Sequence, residues 1–477
     1  MFFSGGECQS NTRKWRLVVH LVVPLLLSAA ALAGAWLKVY SFAAHDMDYG
    51  LFSTLLWNFA NGNGWHMPLY AGEAREFFLA DHLALLVPVW APFFILFPSP
   101  YTLSVLHGLA FAATFFLVPV FVREVWKQRG REDYLPPALF LLLALSFSKG
   151  FCGAWWFQSH MTTLVVPFLL AALIALHRKA LVWACLFCLM LLLAEERSAV
   201  AVFGVGMYAA FITHNRRLGV VLCAFSTLYF FAAVRLIIPF FAGEGYFYNS
   251  MIQPLDNLLR KVLFLFVFFL GWYFLPLLGK RAFWAACCAL PVLSLSLVSG
   301  RETMYRFSYH YQDLPSVFFL AAATLGLLHL WETRWFQKLP RGGMAVLACA
   351  CLLVSFAENR RSPVRYLMQW RPKPEIARLN AALSKYSQLP PEVKVYAPGG
   401  TGVRFSMRKH RHPLTQQTAS KHFNSSMVFM APKQDPHSHP KEQEENVALL
   451  LSNPSLALTE QSAELLVFTS VDLLQKR

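Results

Sequence analysis

A succession of long apolar runs constrains the fold of this chain more than any other feature of its sequence. The first run covers Leu17 to Leu37, and later ones include Tyr101 to Val122, Leu218 to Phe241 and Leu258 to Leu278. A helix needs about 20 apolar residues to cross the hydrocarbon core of a bilayer, because each residue adds only about 1.5 Å. The runs therefore predict an all-α polytopic membrane protein.

The charge of the chain agrees with this prediction. Only 14% of the 477 residues are charged, whereas soluble proteins have about 25%. The formal net charge is +16, which in a soluble protein would suggest a nucleic-acid partner. In a membrane protein, basic residues concentrate in cytoplasmic loops. We therefore expect membrane lipids as partners and no nucleic acid.

The basic loops also predict which side of the membrane each segment faces. Clusters such as Arg123 to Arg131 and Arg334 to Arg341 fall in the cytoplasm if the N-terminus is inside and Leu83 to Phe97 does not cross. This run is short and contains Pro88 and Pro92, which favours a surface or re-entrant segment. We expect about eleven transmembrane helices, with the first loop and the C-terminus outside the cytoplasm.

The composition changes near residue 358, which divides the chain into two domains. Residues 1–357 form the predicted transmembrane domain, with a first external loop at 38–82, and residues 358–477 contain no run long enough to span. In the second part "PEIARLNAALSKYSQ" has helical spacing, and "EVKVYAPGG" and "AELLVFTS" read as strands. A small external α/β module is the predicted structure.

Two segments of this module have other expected structures. The stretch "APKQDPHSHPKEQEEN" is typical of a solvated loop or a disordered segment. Gly399, Gly400 and Gly402 are compatible with a phosphate-binding loop, but no Gly-Lys-Ser or Gly-Lys-Thr follows them. A plain turn is the preferred interpretation.

Ionisable residues concentrate in the loops predicted to be external. Placing such groups at bilayer depth costs several kcal/mol of free energy, so they tend to face a cavity. A position in a solvated loop explains any one of them equally well. Their convergence on one face predicts a wet cleft open to lipid. Arginines there suit a phosphate, and a carboxylate suits removal of a proton from a hydroxyl. The residues are Asp46, Asp48, Arg75, His82, His160, Glu195, Glu196, Arg197, Arg301, Arg306 and His310.

Several stretches resemble a known family. "DYGLFSTLLWNFANGNG", "WWFQSHMTTLVVPFLL" and "YRFSYHYQDLPSVFFLAAA" are similar to an uncharacterised family of predicted polytopic bacterial membrane proteins (domain of unknown function 2079), which groups with the GT-C superfamily of membrane glycosyltransferases. The resemblance covers roughly Leu17 to Leu330. It implies a GT-C-like fold in the inner membrane and inverting transfer of a sugar from a polyprenyl-phosphate carrier to a hydroxyl acceptor.

The resemblance also implies roles for single residues. Asp48 begins the stretch Asp-Tyr-Gly-Leu-Phe and matches the catalytic aspartate that the superfamily carries in its first external loop, so we expect it to be the base. Asp46 is its neighbour, and we expect it to bind substrate, with a metal-side partner as the alternative role. No metal site is predicted, because the residue types allow a divalent cation but no ligand spacing requires one.

The remaining candidates are expected to bind substrate. Arg301, Arg306 and His310 are the expected partners of the phosphate, with Arg75 and Arg197 as lesser candidates. We expect His82, His160 and Glu196 to line the same cleft. The family tends to have Lys-Glu-Asp where this chain has Glu195-Glu196-Arg197, so the resemblance carries no role over to that position.

Two other functions stay open at this point. A transporter or flippase for a lipid-linked substrate would favour internal repeats and polar residues at the centres of spans, whereas the chain has no visible repeat and largely apolar spans. A membrane scaffold with an external binding module is compatible with every feature above. The sequence does not specify the sugar, the acceptor or the carrier length.

Overall fold

The computed structural model of the protein describes residues 12–44, 46–67, 77–157, 160–432 and 440–475. Apolar helices make up the part that precedes residue 358, and a small sheet with flanking helices follows. In chain order the helices of the first part are α1 (Thr12–Tyr40), α2 (Leu51–Ala60), α3 (Val87–Trp90), α4 (Pro92–Leu96), α5 (Thr102–Lys127), α6 (Leu135–Phe147), α7 (Lys149–Phe157), α8 (Met161–Leu164), α9 (Val166–His177), α10 (Leu181–Leu192), α11 (Ser198–Phe211), α12 (Arg216–Ala242), α13 (Leu258–Leu270), α14 (Lys280–Cys287), α15 (Leu290–Val298), α16 (Asp313–Glu332), α17 (Arg334–Gln337) and α18 (Arg341–Glu358).

The described helices confirm a membrane protein. Helices α1, α5, α12 and α16 with its preceding turn are long and apolar enough to cross a bilayer. Three bent pairs raise the number to seven if each pair is one span, namely α6 with α7, α14 with α15, and α18 with the short helix that follows it. Four shorter apolar helices accompany them. The predicted number of about eleven spans stays a prediction.

The segment predicted not to cross the membrane is short in the structure. Its two helices, α3 and α4, together cover Val87–Leu96. At about 1.5 Å per residue this segment is about 15 Å long, roughly half the thickness of the hydrocarbon core. Pro88 and Pro92 lie in the first turn of each helix, where proline is tolerated. This geometry supports a surface or re-entrant segment.

Helix α16 lies at the centre of the membrane part. It is apolar on all sides, and its residues from Leu314 to Leu325 are buried, as expected for a helix surrounded by other helices. The large core cluster joins it to α5, α9, α11 and α14. Because α16 begins beside the candidate site residue His310, this packing holds one wall of the site.

The C-terminal part is the expected α/β module. Its five strands are β1 (Lys394–Ala397), β2 (Arg411–Pro413), β3 (Ser426–Met430), β4 (Leu456–Gln461) and β5 (Leu466–Ser470), and its helices are α19 (Pro363–Gln369), α20 (Pro374–Ser384), α21 (Gly399–Val403), α22 (Gln416–Ala419), α23 (Pro440–Ser452) and α24 (Val471–Gln475). The order in the sheet is β2-β1-β3-β5-β4. Strand β1 is parallel to both neighbours, whereas β5 is antiparallel to β3 and β4. The predicted helix and both predicted strands are present as α20, β1 and β5.

Two expectations for this module need correction. Part of the predicted loop at 431–446 is helical, because α23 begins at Pro440, and residues 433–439 lie outside the described residues. Proline at the first helical position and Glu442 in the first turn favour a helix start there. The glycine stretch is not a plain turn but the single helical turn α21.

The module packs against the first loop, residues 38–82. Phe42 belongs to the same buried cluster as Leu379 of α20 and Val395 of β1. Val403 of α21 belongs to the cluster of Leu55 and Phe78 in the first loop. The module and the first loop therefore lie on the same face of the membrane domain.

Candidate functional site

Asp48 lies in a π-helical turn, Asp46–Gly50, that leads directly into α2. Irregular turns of this kind often occur at functional sites. The Asp48 side chain is partly buried. Burial raises the pKa of its carboxyl to about 6, although the positive charges of His82 and Arg301 act to lower it. A carboxylate with such a pKa is ionised at neutral pH and is a stronger base than an ordinary aspartate.

His82 and Glu196 form a hydrogen-bonded ion pair beside Asp48. The His82 Nδ1 atom is 2.8 Å from Glu196 Oε1, and its Nε2 atom is 3.0 Å from the Tyr248 hydroxyl. Tyr246 donates to Glu196 Oε1 over 2.9 Å. Burial acts to lower the pKa of His82, but the carboxylates of Glu196 and Asp81 outweigh it and raise the pKa to about 10. His82 is therefore an imidazolium at neutral pH.

Glu196 is ionised because its partner His82 carries a positive charge. Its side chain is 1% exposed, and burial acts to raise its pKa. The His82 charge and hydrogen bonds from His82 and the Leu83 backbone N–H outweigh this effect and lower the pKa. Since the same carboxylate binds both His82 and the backbone of Leu83, it fixes the imidazolium in place.

A second carboxylate next to it has the opposite protonation. Glu195 is fully buried, with Oε1 3.0 Å from His160 Nδ1 and Oε2 3.4 Å from Arg197 Nε. Burial raises the pKa of Glu195, and burial with the neighbouring His310 lowers the pKa of His160 well below its usual value. Both pKa shifts favour the neutral forms of Glu195 and His160. The rings of His160 and His310 stack at 3.9 Å between centroids.

Arg197 connects these groups to the start of α16. Its Nη2 atom is 3.5 Å from Asp313 Oδ2 and also donates to the Thr162 hydroxyl. Thr162 and Thr163 donate to the same Asp313 oxygen over 2.9 and 3.2 Å. The beginnings of α8, α11 and α16 therefore meet at this point. We call this group the polar cluster, which consists of Asp48, His82, His160, Glu195, Glu196, Arg197, Tyr248, His310 and Asp313.

Asp46 has different partners from Asp48. Its carboxylate is 3% exposed and forms an ion pair with Arg411 of β2, which is 2% exposed. The nearest atoms to an added Cβ at Gly402 belong to this carboxylate. Asp46 therefore faces the C-terminal module, and its contacts are those of a structural residue.

Of the four arginines expected to bind phosphate, Arg197 lies in the polar cluster, and the other three have different outcomes. Arg75 falls outside the described residues. Arg301 is exposed and acts electrostatically on Asp48. Arg306 forms an ion pair with Glu302, which also pairs with Arg260.

A cavity of about 810 Å³ opens beside Arg306, and we call it the basic cavity. It combines positive charge with an apolar wall. Its basic lining residues are Lys149, Arg260, Arg306, Arg360 and Arg361, and its apolar ones include Trp156, Leu263, Phe264, Val267 and Phe307. Trp156 adjoins Phe157, whose ring lies 5.2 Å from that of His310. The basic cavity is therefore next to the polar cluster.

The sequence identified most members of the polar cluster but missed Tyr248, and it also missed Thr162 and Tyr246, which bond to members of the cluster. The two tyrosines alternate in the stretch "GYFYN", a pattern that could have drawn attention to them. Among the described residues, no group of three or more histidines, cysteines or acidic residues could hold a metal ion.

The fold is shared with a solved membrane protein. ArnT from Cupriavidus metallidurans bound to undecaprenyl phosphate matches with a TM-score of 0.58 and 14% identity, covering 94% of this chain and 98% of that one. Its apo state matches with a TM-score of 0.51 over the same shares. At this identity the likeness concerns the fold alone, and none of the curated proteins matches the sequence.

The expected family is confirmed by these comparisons. The match to the family covers most of the membrane part and reaches the first strand of the module. The chain therefore belongs to the family described as "Predicted membrane protein (DUF2079)", whose sequence model matches residues 38–398.

Proposed function

We propose that this chain is an inverting glycosyltransferase of the GT-C type, which transfers a sugar from a polyprenyl phosphate to a hydroxyl acceptor at the external membrane face. The observation that carries the proposal is the environment of Asp48. Its raised pKa, close to 6, suits a general base, and its neighbours His82 and Arg301 carry positive charge. The fold shared with ArnT, which was solved with undecaprenyl phosphate, supports a carrier of that class.

In the proposed reaction Asp48 accepts the proton of the acceptor hydroxyl. The acceptor oxygen then forms a bond to the anomeric carbon while the bond from that carbon to the phosphate oxygen breaks. The electron pair leaves with the polyprenyl phosphate, and the configuration at the anomeric carbon inverts in this single displacement. One base suffices, because the donor already carries its leaving group.

The charge that develops on the leaving phosphate needs positive partners. Arg301 supplies a guanidinium near Asp48, and His82 supplies an imidazolium held by Glu196 and Tyr248. Fixed positive groups at such a position stabilise the transition state without reorganising. We assign His160 and His310, which stack on each other, to the wall of the same site.

The basic cavity is our candidate for the carrier. Its volume of about 810 Å³ lies within the range of small-molecule sites, roughly 300–1,000 Å³. Arg306 and its basic neighbours suit the phosphate, whereas the apolar wall along α13 suits the first isoprene units. This division of polar head and apolar tail is what a lipid phosphate requires.

The experiment that tests this function begins with cells that lack the protein. We expect a polyprenyl-linked sugar to accumulate there, and this lipid then serves as the donor for the purified protein in nanodiscs. Asp48→Asn should retain carrier binding and lose transfer by about 10²–10⁴-fold, the usual contribution of a general base. Arg306→Ala should weaken carrier binding.

The matched control is Asp256→Asn, because Asp256 is an exposed aspartate in another loop of the same face. This variant should transfer the sugar at the wild-type rate. Full activity of Asp48→Asn would refute the proposed base. Movement of the lipid across the bilayer without a glycosylated product would favour the flippase instead.

A further inference from the structure

The C-terminal module reaches the candidate site through a short glycine-rich helix and one buried arginine. Helix α21, Gly399–Val403, follows β1 directly, and Arg411 begins β2. Arg411 is paired with Val395 of β1 in the sheet, and both Arg411 and Gly402 of α21 approach Asp46. Together they cover the π-helical turn Asp46–Gly50 that contains Asp48.

The ion pair between Arg411 and Asp46 is almost completely removed from solvent. Their exposed fractions are 2% and 3%. Two charges at such a depth are stable only as a pair, because each alone would be left without compensation in a poorly polarisable environment. This ion pair therefore joins the turn to the module, and removal of either partner would leave a buried charge without compensation.

The glycines of α21 allow the close approach that this ion pair needs. A Cβ atom at Gly402 would lie 2.8 Å from the Asp46 carboxylate, and one at Gly400 would collide with the backbone carbonyl of Phe42. Both glycines are thus required by contact with the first loop. This contact explains the glycine stretch better than a phosphate-binding role does.

Further contacts extend the same interface on both sides of the turn. Ser53 of α2 and Ser406 of the module share a hydrogen bond of 3.0 Å between buried hydroxyls. Arg404 donates to the Tyr101 hydroxyl, and its guanidinium lies 5.0 Å from the centre of that ring. The segment that carries Asp48 is therefore held by the module before and after Asp48.

From this geometry we infer that the C-terminal module contributes to the site by positioning the turn that carries Asp48. Arg411 is the positioning residue, and it holds this turn through Asp46. The inference rests on the proposed function of Asp48. It assigns to the module a role in the reaction that does not require the module to touch the substrate. It also explains why Asp46, two residues from the base, is buried away from the cleft.

The test uses the full chain in nanodiscs and two independent readouts. Hydrogen exchange of residues 46–60 reports how firmly the turn is held, and transfer kinetics report its effect on the reaction. The variants are Arg411→Gln, Gly402→Ala and the conservative Arg411→Lys. The control is Arg378→Gln, because Arg378 pairs with Glu464 entirely within the module.

We expect Arg411→Gln and Gly402→Ala to increase exchange in residues 46–60 but not in α5. The rate kcat should fall by about 10²-fold, as for small misplacements of a reacting group, while KM for the carrier stays unchanged. The acid limb of the pH profile should move to lower pH, because a loosened Asp48 becomes solvated. Arg411→Lys should restore part of the rate, and Arg378→Gln should match the wild type in every readout.

Three results would overturn the inference. These are unchanged exchange in residues 46–60, an increase spread over the whole chain, and local loosening with an unchanged kcat and pH profile. A wild-type protein that transfers no sugar would refute the proposed function instead, and the exchange data would then still decide whether Arg411 holds the turn.

Discussion

Asp48 and His82 show how neighbouring side chains acquire complementary charges. Burial raises the pKa of Asp48 to about 6, and the carboxylates of Glu196 and Asp81 raise that of His82 to about 10 against the effect of burial. Between these values the carboxylate is ionised and the imidazole is protonated. The sequence named both residues as candidates. It could not show their protonation states, because these depend on burial and on partners such as Glu196, which is 114 positions from His82.

The pH dependence of transfer follows from these two pKa values. A base works only when deprotonated, so kcat/KM should rise as the pH increases through about 6 and fall again near pH 10, where His82 loses its proton. Arg301→Gln removes a positive charge that lowers the pKa of Asp48, so the acid limb should move to higher pH. Arg334→Gln, at the exposed first residue of α17, should leave the profile unchanged. An acid limb that does not respond to Arg301→Gln would contradict the assignment.

Helices α11 and α12 illustrate how single glycines set the distance between elements. A Cβ atom at Gly206 would lie 2.7 Å from the Cys223 sulfur and 2.8 Å from the Gly219 carbonyl oxygen. Small residues at such crossings allow helices in membranes to pack closely. Helix α11 begins at Ser198, directly after Glu195, Glu196 and Arg197, so its packing also positions these site residues.

Replacing Gly206 should therefore weaken the membrane domain. Gly206→Val forces the two helices apart and should cost about 1–3 kcal/mol, the usual range for overpacking. A thermal unfolding curve in detergent should show a lower midpoint. Gly245→Val is the matched control, because nothing lies within 4 Å of a Cβ atom at that position. Equal midpoints for the two variants would show that the helices absorb the extra volume.

The module and the first loop lie on one face of the molecule. They share two buried apolar clusters, one containing Phe42 and the other Val403, and each cluster contains residues of both parts. A second cavity, of about 510 Å³, is lined by the basic residues Arg16, Arg123, Lys127 and Arg131. Under the positive-inside rule we predict that this basic end faces the cytoplasm.

Single cysteines at three positions test this arrangement. Cysteines that replace Asn63 in the first loop and Ser387 in the module should react with an impermeant thiol reagent added from outside. A cysteine that replaces Gln128 should react only after the membrane is permeabilised. The expectation follows from the basic loops and from the packing of the module. Reaction of Asn63 and Gln128 from the same side would contradict the topology, and so would reaction of Ser387 together with Gln128.

The membrane class, the short proline-containing run Leu83 to Phe97 and the strands β1 and β5 could be predicted from the sequence alone. These features depend on properties that are local in the chain, namely the length of an apolar run, the position of prolines and the periodicity of a strand. The sequence also listed most residues of the polar cluster, because ionisable groups near a membrane stand out against apolar surroundings. The pairing of Asp46 with Arg411 and the electrostatic interaction of Asp48 with His82 became visible only in the folded structure. Both aspartates are in one turn, and their partners come from distant segments whose approach is set by the packing of the whole molecule.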